Sequence, residues 1–528
     1  MKKRAVALFI VVTLMFLTSS WRIYDIVSDA DLTAASSQMS YKLTVTSPRG
    51  NIYDRNLKKM VSQQSKWVAA VPSNLSTLNE IDKKLGDYAK IAREALKSGK
   101  PTVIEAVSDF AAEQSVLFSI PIRYSDNQLA SHIIGYTDAS GHGVTGIEYA
   151  FDKLLTCEDD VTVTYTVDAN GRALSGVEPT VSGTTDVKTG VVLTLDSSIQ
   201  RLTEQVASVI EKGAVVVMNA KSGEILALAS RPDYSPLNLA DALKSDSAPL
   251  VNRAFSAYNV GSVFKILVAA AAVESGIGKI TTHFCSGNVK IGTNVFNCHN
   301  LSGHGEVDMT AALSNSCNPY FINLASRVGG KDILSLCKKL RFDEKKSFAD
   351  RLSSVSGNLP SEEKLTSQPA ALANFSFGQG ELLLTPIDVA VMTAMIANGG
   401  YRVSPRLVSG IMLADGSISE YMSESPQRVI SERTANTVAE MMTAVISGGT
   451  GELAAPSHLL AGGKTATAEA GYKSNGQPVN QCWFSGFYPA ENPEYVITVF
   501  VENGISGSKT AAPVFKSVCD GIYDLYYA

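Results

Sequence analysis

At 528 residues the chain is too long for one ordinary core and predicts two or three domains; its 45% hydrophobic content is that of a folded protein. The formal net charge of -5 argues against a nucleic-acid surface, which would be basic, so any charged substrate must be met locally. No long low-complexity or repeated segment is visible.

Met1-Lys2-Lys3-Arg4 precedes an uncharged run from Ala5 to Trp21, rich in Leu, Val, Ile and Phe. Basic residues before such a run predict a cytoplasmic N-terminus and an exported remainder, with Trp21 at the far interface. A cleaved signal peptide would share the apolar run, but no clean small-x-small cleavage site follows, so an uncleaved single-pass anchor over residues 1–22 is expected. Residues 23–184 are polar and mixed, with helix-like charged stretches such as Glu80 to Ser98. Arg49, Asp54 and Arg55 read as a structural ion-pair network, and His132 and Glu148 as structural residues.

A Gly, Ser and Thr-rich stretch from Val181 to Gly190 reads as a linker, and Leu193-Thr194-Leu195-Asp196 opens the domain at 185–528, leading into a helix with Gln200. Gly213 to Asn219 and Glu224 to Ser230 are β-rich runs joined by Ala220-Lys221-Ser222-Gly223, a hairpin by composition. Cys482 to Tyr488 and Tyr495 to Val501 repeat the pattern around Glu491-Asn492-Pro493. Strands at both ends with helices between predict an α+β fold, its antiparallel sheet assembled from distant segments and flanked by helices. One helix is expected from Thr385-Pro386, with Thr385 as cap and Asp388 in the first turn, to a stop at Asn398-Gly399-Gly400; another runs from Ser431 to Ile446.

The stretch from Tyr258 to Val273, closed by Gly276, is apolar all round and predicts a buried helix. Ser262 and Lys265 sit at its mouth, three residues apart and so on one face. A lysine partly out of water loses some preference for its charged form and can accept the serine proton, which makes Ser262 a candidate nucleophile. A capping serine and a snorkelling lysine would give the same spacing. Two later stretches decide between the readings: Ser316-Cys317-Asn318 about fifty residues on, and Gly462-Gly463-Lys464-Thr465-Ala466-Thr467. This is the order and rough spacing of acyl-serine enzymes that act on β-lactams and cell-wall peptides.

On these motifs the chain resembles the class B penicillin-binding proteins, membrane-anchored peptidoglycan D,D-transpeptidases. The resemblance extends to Ser47-Pro48-Arg49-Gly50-Asn51-Ile52-Tyr53-Asp54-Arg55, Gly143-Val144-Thr145-Gly146-Ile147-Glu148, Gly378-Gln379-Gly380 with Thr385-Pro386, and Ala397-Asn398-Gly399-Gly400. It implies an elongated pedestal (a dimerisation-type domain) over 23–184 and a transpeptidase domain over 185–528. It implies an acyl-enzyme on Ser262, formed from D-alanyl-D-alanine stem peptides and equally from β-lactams, with an amine from a second stem peptide as acceptor. Lys265 would be the base, Ser316 a proton relay with Lys265 or Lys464, and Asn318 a partner of Lys265 or the substrate amide. The oxyanion donors would be the backbone N–H groups of Ser262 and Thr467. Lys464, Thr465 and Thr467 would meet the substrate carboxylate. A membrane glycosyltransferase is the expected partner; no cofactor and no metal ligand is expected for the reaction.

Two positions depart from the family pattern. Ala466 stands where the third motif has glycine, placing a methyl where substrate or the nucleophile's neighbours approach closely. Val260 stands where a proline often precedes Gly-Ser. A D,D-carboxypeptidase, with water as acceptor, and a catalytically weakened cell-wall scaffold are the alternatives, the second resting on Ala466 alone. A β-lactamase or β-lactam sensor fits less well, because no added base for fast deacylation is visible.

Seven cysteines, Cys157, Cys285, Cys298, Cys317, Cys337, Cys482 and Cys519, leave at least one unpaired within the chain. Cys285 and Cys298 flank a turn at Gly292-Thr293. Three readings fit them: a disulfide across a hairpin, free thiols, or a zinc site with His283 and His299. Cys317 is expected to face away from the cleft as a buried thiol.

Overall fold

The computed structural model describes residues 2–28, 39–474 and 477–528, so 29–38, within the expected pedestal, lie outside the described residues. The chain forms two compact units, the first made of Met1–Arg49, Gln64–Arg123 and Cys157–Val187, the second of Gly50–Gln63, Tyr124–Thr156 and Lys188–Ala528.

In the first unit a helix over Lys2–Ser28 contains an apolar span, Lys3–Asp25, long enough to cross a membrane. Two three-stranded antiparallel sheets follow, with Val161–Thr166 central in one and Gln64–Val71 central in the other. The expected linker is shorter than its composition suggested, because Thr180–Ser182 pairs with Val161–Thr166. The helix-like stretch from Glu80 to Ser98 is interrupted. The helix Leu75–Lys84, capped by Asn74, stops before Gly86, whose φ of +49° turns the chain into a short 3-10 segment.

The boundary expected at 184/185 does not follow the chain's packing. Asn51–Tyr53 pairs in parallel with Gly190–Leu193, and Ile52, Ile133, Ile134 and Ile147 are fully buried in one cluster with Val191 and Leu193. Segments from the N-terminal third thus complete the core of the second unit. The Asp54 carboxylate accepts from the backbone N–H groups of Asn56, Lys58 and Ser197, while Arg55 reaches Glu224 at 3.4 Å. Glu148 is buried and accepts from the Tyr124 hydroxyl.

His132 is structural, as expected. Its Nε2 donates to the Pro249 carbonyl at 2.7 Å, and burial, with smaller contributions from Arg253 and Arg231, pushes its pKa down to about 4 despite that bond. Asp233 stands 3.8 Å from Nδ1, but burial raises its own pKa and weakens that counter-charge. Since the folded pKa lies below the unfolded value of about 6.5, the contribution is complete above pH 6.5 and is lost as pH falls toward 4, by about 3 kcal/mol at most. Urea unfolding at pH 7.5 and 5 should show this loss in the wild type and a smaller one in His132→Gln; equal losses would refute it.

The second unit is built on a five-stranded antiparallel sheet. Its strands are β1 (Gly213–Asn219), β2 (Ile225–Arg231), β3 (Gly462–Ser474), β4 (Gln477–Tyr488) and β5 (Tyr495–Glu502), in the spatial order β2-β1-β5-β4-β3. The central strands are buried on both faces, which explains their continuous Val, Ile and Phe runs. Four helices of this unit are α1 (Lys265–Glu274), α2 (Asn318–Val328), α3 (Pro386–Ala397) and α4 (Glu432–Gly448). α3 is buried along its whole length and starts in a capping box between Thr385 and Asp388, as read from the sequence. Ser431 caps α4.

Candidate active site

The first motif is not one continuous α-helix. Tyr258–Asn259 pairs with Leu383–Leu384, Gly261–Phe264 is a 3-10 turn, and α1 begins at Lys265. A 3-10 turn eclipses residues three apart, so it aligns Ser262 and Lys265 on one side more closely than an α-helix would. Gly261 has φ +56°, and its N–H donates to the Gly378 carbonyl at 2.9 Å. The Asn259 carbonyl accepts from Trp483 Nε1, and the Asn259 amide donates to the Glu469 carbonyl on β3. Val260, at the proline position, is buried with φ -88° in the hydrophobic cluster. The turn is therefore pinned from both sides without the proline ring. Ser262 itself is half-buried.

Lys265 is fully buried, and its amine joins the first motif to the second. Nζ lies 2.7 Å from Asn318 Oδ1, 2.8 Å from the Ser316 carbonyl and 3.3 Å from Ser316 Oγ. Burial lowers its pKa to about 7, so much of the amine is neutral at physiological pH. A neutral amine has two N–H bonds, which suit the two short contacts, and one lone pair, which the Ser316 hydroxyl can meet. Ser316 is held at φ +52°, an unusual conformation for a residue with a Cβ. That twist turns both its carbonyl and its hydroxyl toward Lys265. Asn318 also donates to the Asn297 carbonyl at 2.9 Å.

The third motif lies on β3, the edge strand beside the turn. Lys464 is fully buried; its amine donates to the Thr465 carbonyl and stands near enough to Lys265 that burial and that charge together hold its pKa well below 10.5. So buried a group is poorly placed to meet a carboxylate directly, contrary to expectation. Thr465 and the exposed Thr467 carry the hydroxyls of this strand, and Thr467 Oγ1 accepts from the Gly507 N–H. The Ala466 methyl packs in the core cluster with Val260 and Trp483, beneath Gly261. Of the two approaches expected for it, the one toward the nucleophile's neighbours is seen.

Thr450 has a place in this site that the sequence reading missed. Its hydroxyl is 2.9 Å from Thr465 Oγ1 and its N–H donates to the Ser314 carbonyl, so it ties the third motif to the segment just before the second. The run Gly448-Gly449-Thr450-Gly451 at the end of α4 was the available signal. Gln379 makes a backbone bond to Asn374, and Thr385 serves as a cap, so neither is assigned chemistry. Cys317 is buried, but it faces Cys285 and Cys298.

Residues 213–520 match the family model of the penicillin-binding protein transpeptidase domain. The chain is a class B penicillin-binding protein. Among its relatives, stage V sporulation protein D of Bacillus subtilis is 28% identical, over 92% of this chain and 79% of that protein. A peptidoglycan D,D-transpeptidase, PbpA of Mycobacterium tuberculosis, is 30% identical over 58% of this chain and 66% of that protein. Among solved structures, penicillin-binding protein 3 of Mycobacterium tuberculosis complexed with aztreonam superposes with a TM-score of 0.68 at 25% identity, covering 92% of this chain and 97% of that one. The fold class expected from the sequence, α+β with the penicillin-binding sheet and one N-terminal apolar helix, is the fold of this family.

Proposed function

We propose that this protein is a peptidoglycan D,D-transpeptidase that works through an acyl-enzyme on Ser262. The carrying observation is the buried Lys265 amine, tied to Ser316 and Asn318 with Lys464 beside it, one turn from Ser262. Ser262 gives its proton to Lys265 and Oγ attacks the carbonyl carbon of the penultimate D-alanine. Backbone N–H groups of Ser262 and Thr467 hold the oxyanion; Ser262 lies in the first turn of a helical segment, where N–H groups lack internal partners, and Thr467 lies on an edge strand. Ser316 relays the proton from Lys265 to the leaving amine. Terminal D-alanine departs, an acceptor amine attacks the ester carbonyl, its proton returns through Lys265 to Ser262 Oγ, and the cross-link is released.

In this reading Thr465 and Thr467 bind the substrate carboxylate, while the buried Lys464 amine donates to the Thr465 carbonyl beneath them. The apolar N-terminal helix anchors the chain, its basic residues stay cytoplasmic, and the catalytic unit acts outside on stem peptides of glycan made by a membrane glycosyltransferase. Ala466 gives the scaffold reading little steric support, since its methyl lies in the core.

The full chain in detergent should form a stable adduct with a fluorescent penicillin that disappears in Ser262→Ala. Stem peptide with an amine acceptor should then yield cross-linked product. Hydrolysed peptide alone would indicate a carboxypeptidase, rapid penicillin turnover a β-lactamase, and no adduct a scaffold.

A further inference from the structure

Three sulfurs and one imidazole converge beside the second motif. Cys285 ends the strand His283–Cys285, Cys298 follows the hairpin of Asn288–Ile291 and Asn294–Asn297, His304 precedes the strand Gly305–Val307, and Cys317 lies between Ser316 and Asn318. Their ligand atoms all lie within 4.8 Å of one another, with the cysteines buried and His304 half-buried. Cys298 Sγ is 3.5 Å from His304 Nδ1. Around a tetrahedral zinc, with Zn–S about 2.3 Å and Zn–N about 2.0 Å, the sulfur-to-nitrogen edge is about 3.5 Å. All of these cysteines are free thiols, so the hairpin disulfide considered for Cys285 and Cys298 is not formed.

We propose that Cys285, Cys298, His304 and Cys317 bind a structural zinc ion. Three thiolates and an imidazole are the donors that favour zinc over harder divalent ions, and a closed set of four protein ligands marks a structural rather than a catalytic site. On binding, the thiols release their protons to solvent while His304 ligates as the neutral ring. The ligand set differs from the one weighed on sequence. His283 is outside the cluster, and His299 is exposed, with Nδ1 4.0 Å from Cys298 Sγ.

The surroundings call for such a tie. Two-stranded hairpins are marginal without a core, and this segment leaves Phe284, Val295 and Leu301 exposed. Zinc would fasten it to the turn at Ser316-Cys317-Asn318, next to the Asn297 carbonyl that holds Asn318. Asn318 and Ser316 in turn hold Lys265. The four ligands are positioning residues: they act on the reaction by fixing that turn.

The test uses the full chain, without a polyhistidine tag, purified in detergent with a thiol reductant and no chelator. Elemental analysis should find about one zinc per chain, and cobalt exchange should give tetrahedral visible bands with a thiolate-to-cobalt charge-transfer band. Cys298→Ser should lower zinc affinity by about tenfold or more, and His299→Ala should leave it unchanged. Stripping the zinc should slow acylation at saturating penicillin by about tenfold, with non-covalent affinity preserved and the rate restored by added zinc. Zinc content and the cobalt spectrum are read on wild type without substrate, so they stand apart from the transpeptidase assignment and from any folding defect of a variant. Protein that neither retains zinc nor takes up cobalt, or that carries a Cys298–Cys317 disulfide despite reductant, overturns the site.

Discussion

Lys265→Met is expected to slow acylation by penicillin by about 10³-fold while leaving the fold in place, because it removes the base and keeps nearly the same volume. The stability side of this expectation comes from burial. A fully buried amine costs solvation that its three polar contacts only partly return, so an apolar replacement relieves that cost and at the same time leaves Asn318 Oδ1 and the Ser316 carbonyl unpaired. The two effects oppose each other, and the net change should stay within about 2 kcal/mol. Acylation time courses with fluorescent penicillin, set beside thermal unfolding of the same samples, separate the two. An acylation rate within a few-fold of wild type would remove Lys265 from the mechanism.

Gly378→Ala should damage the same reaction from a residue that touches no substrate. Gly378 has φ +76°, and a Cβ there would stand 2.1 Å from the Gly261 carbonyl oxygen and 2.8 Å from its nitrogen. Both are backbone atoms, so the turn before Ser262 must move. A displacement near 1 Å at a reacting group costs about 10² in rate, which is the loss expected here. Gly380→Ala is the control: its φ is +82°, but its Cβ would find nothing nearer than Asn374 Cβ at 3.5 Å. That variant should lose about 1 kcal/mol of stability from backbone strain and keep its acylation rate. Equal rates for the two variants would show that the Gly378 contact does not set the position of Ser262.

The parts of the site legible in the sequence were those written in short-range spacing. Ser262 with Lys265, Ser316 with Asn318, and the Lys464 strand each announce themselves within a few residues, and the Thr385 capping box and the 220–223 hairpin do so as well. What stayed hidden depends on contacts between distant segments. Nothing local marks Gly50–Gln63 as part of the catalytic core; it belongs there because Asn51–Tyr53 pairs with Gly190–Leu193. The closeness of His304 and Cys317 to Cys285 and Cys298 was hidden for the same reason, since proximity in sequence points instead to His283 and His299. The burial of Lys464 was missed for a similar reason: a lysine in a β-strand near a cleft looks exposed until the elements that cover it are in place.

The sheet order carries a consequence for how the protein is made. β1 leaves the ribosome early, yet its neighbour away from β2 is β5, whose register sets Tyr495 opposite Asn219. Most of the unit must be synthesised before that pairing can start, so the nascent chain holds an apolar strand edge without its mate throughout elongation. A ribosome that stops before Tyr495 therefore yields every acylation residue named above but not the central strand of their scaffold, a product fit for proteolysis rather than for labelling by penicillin.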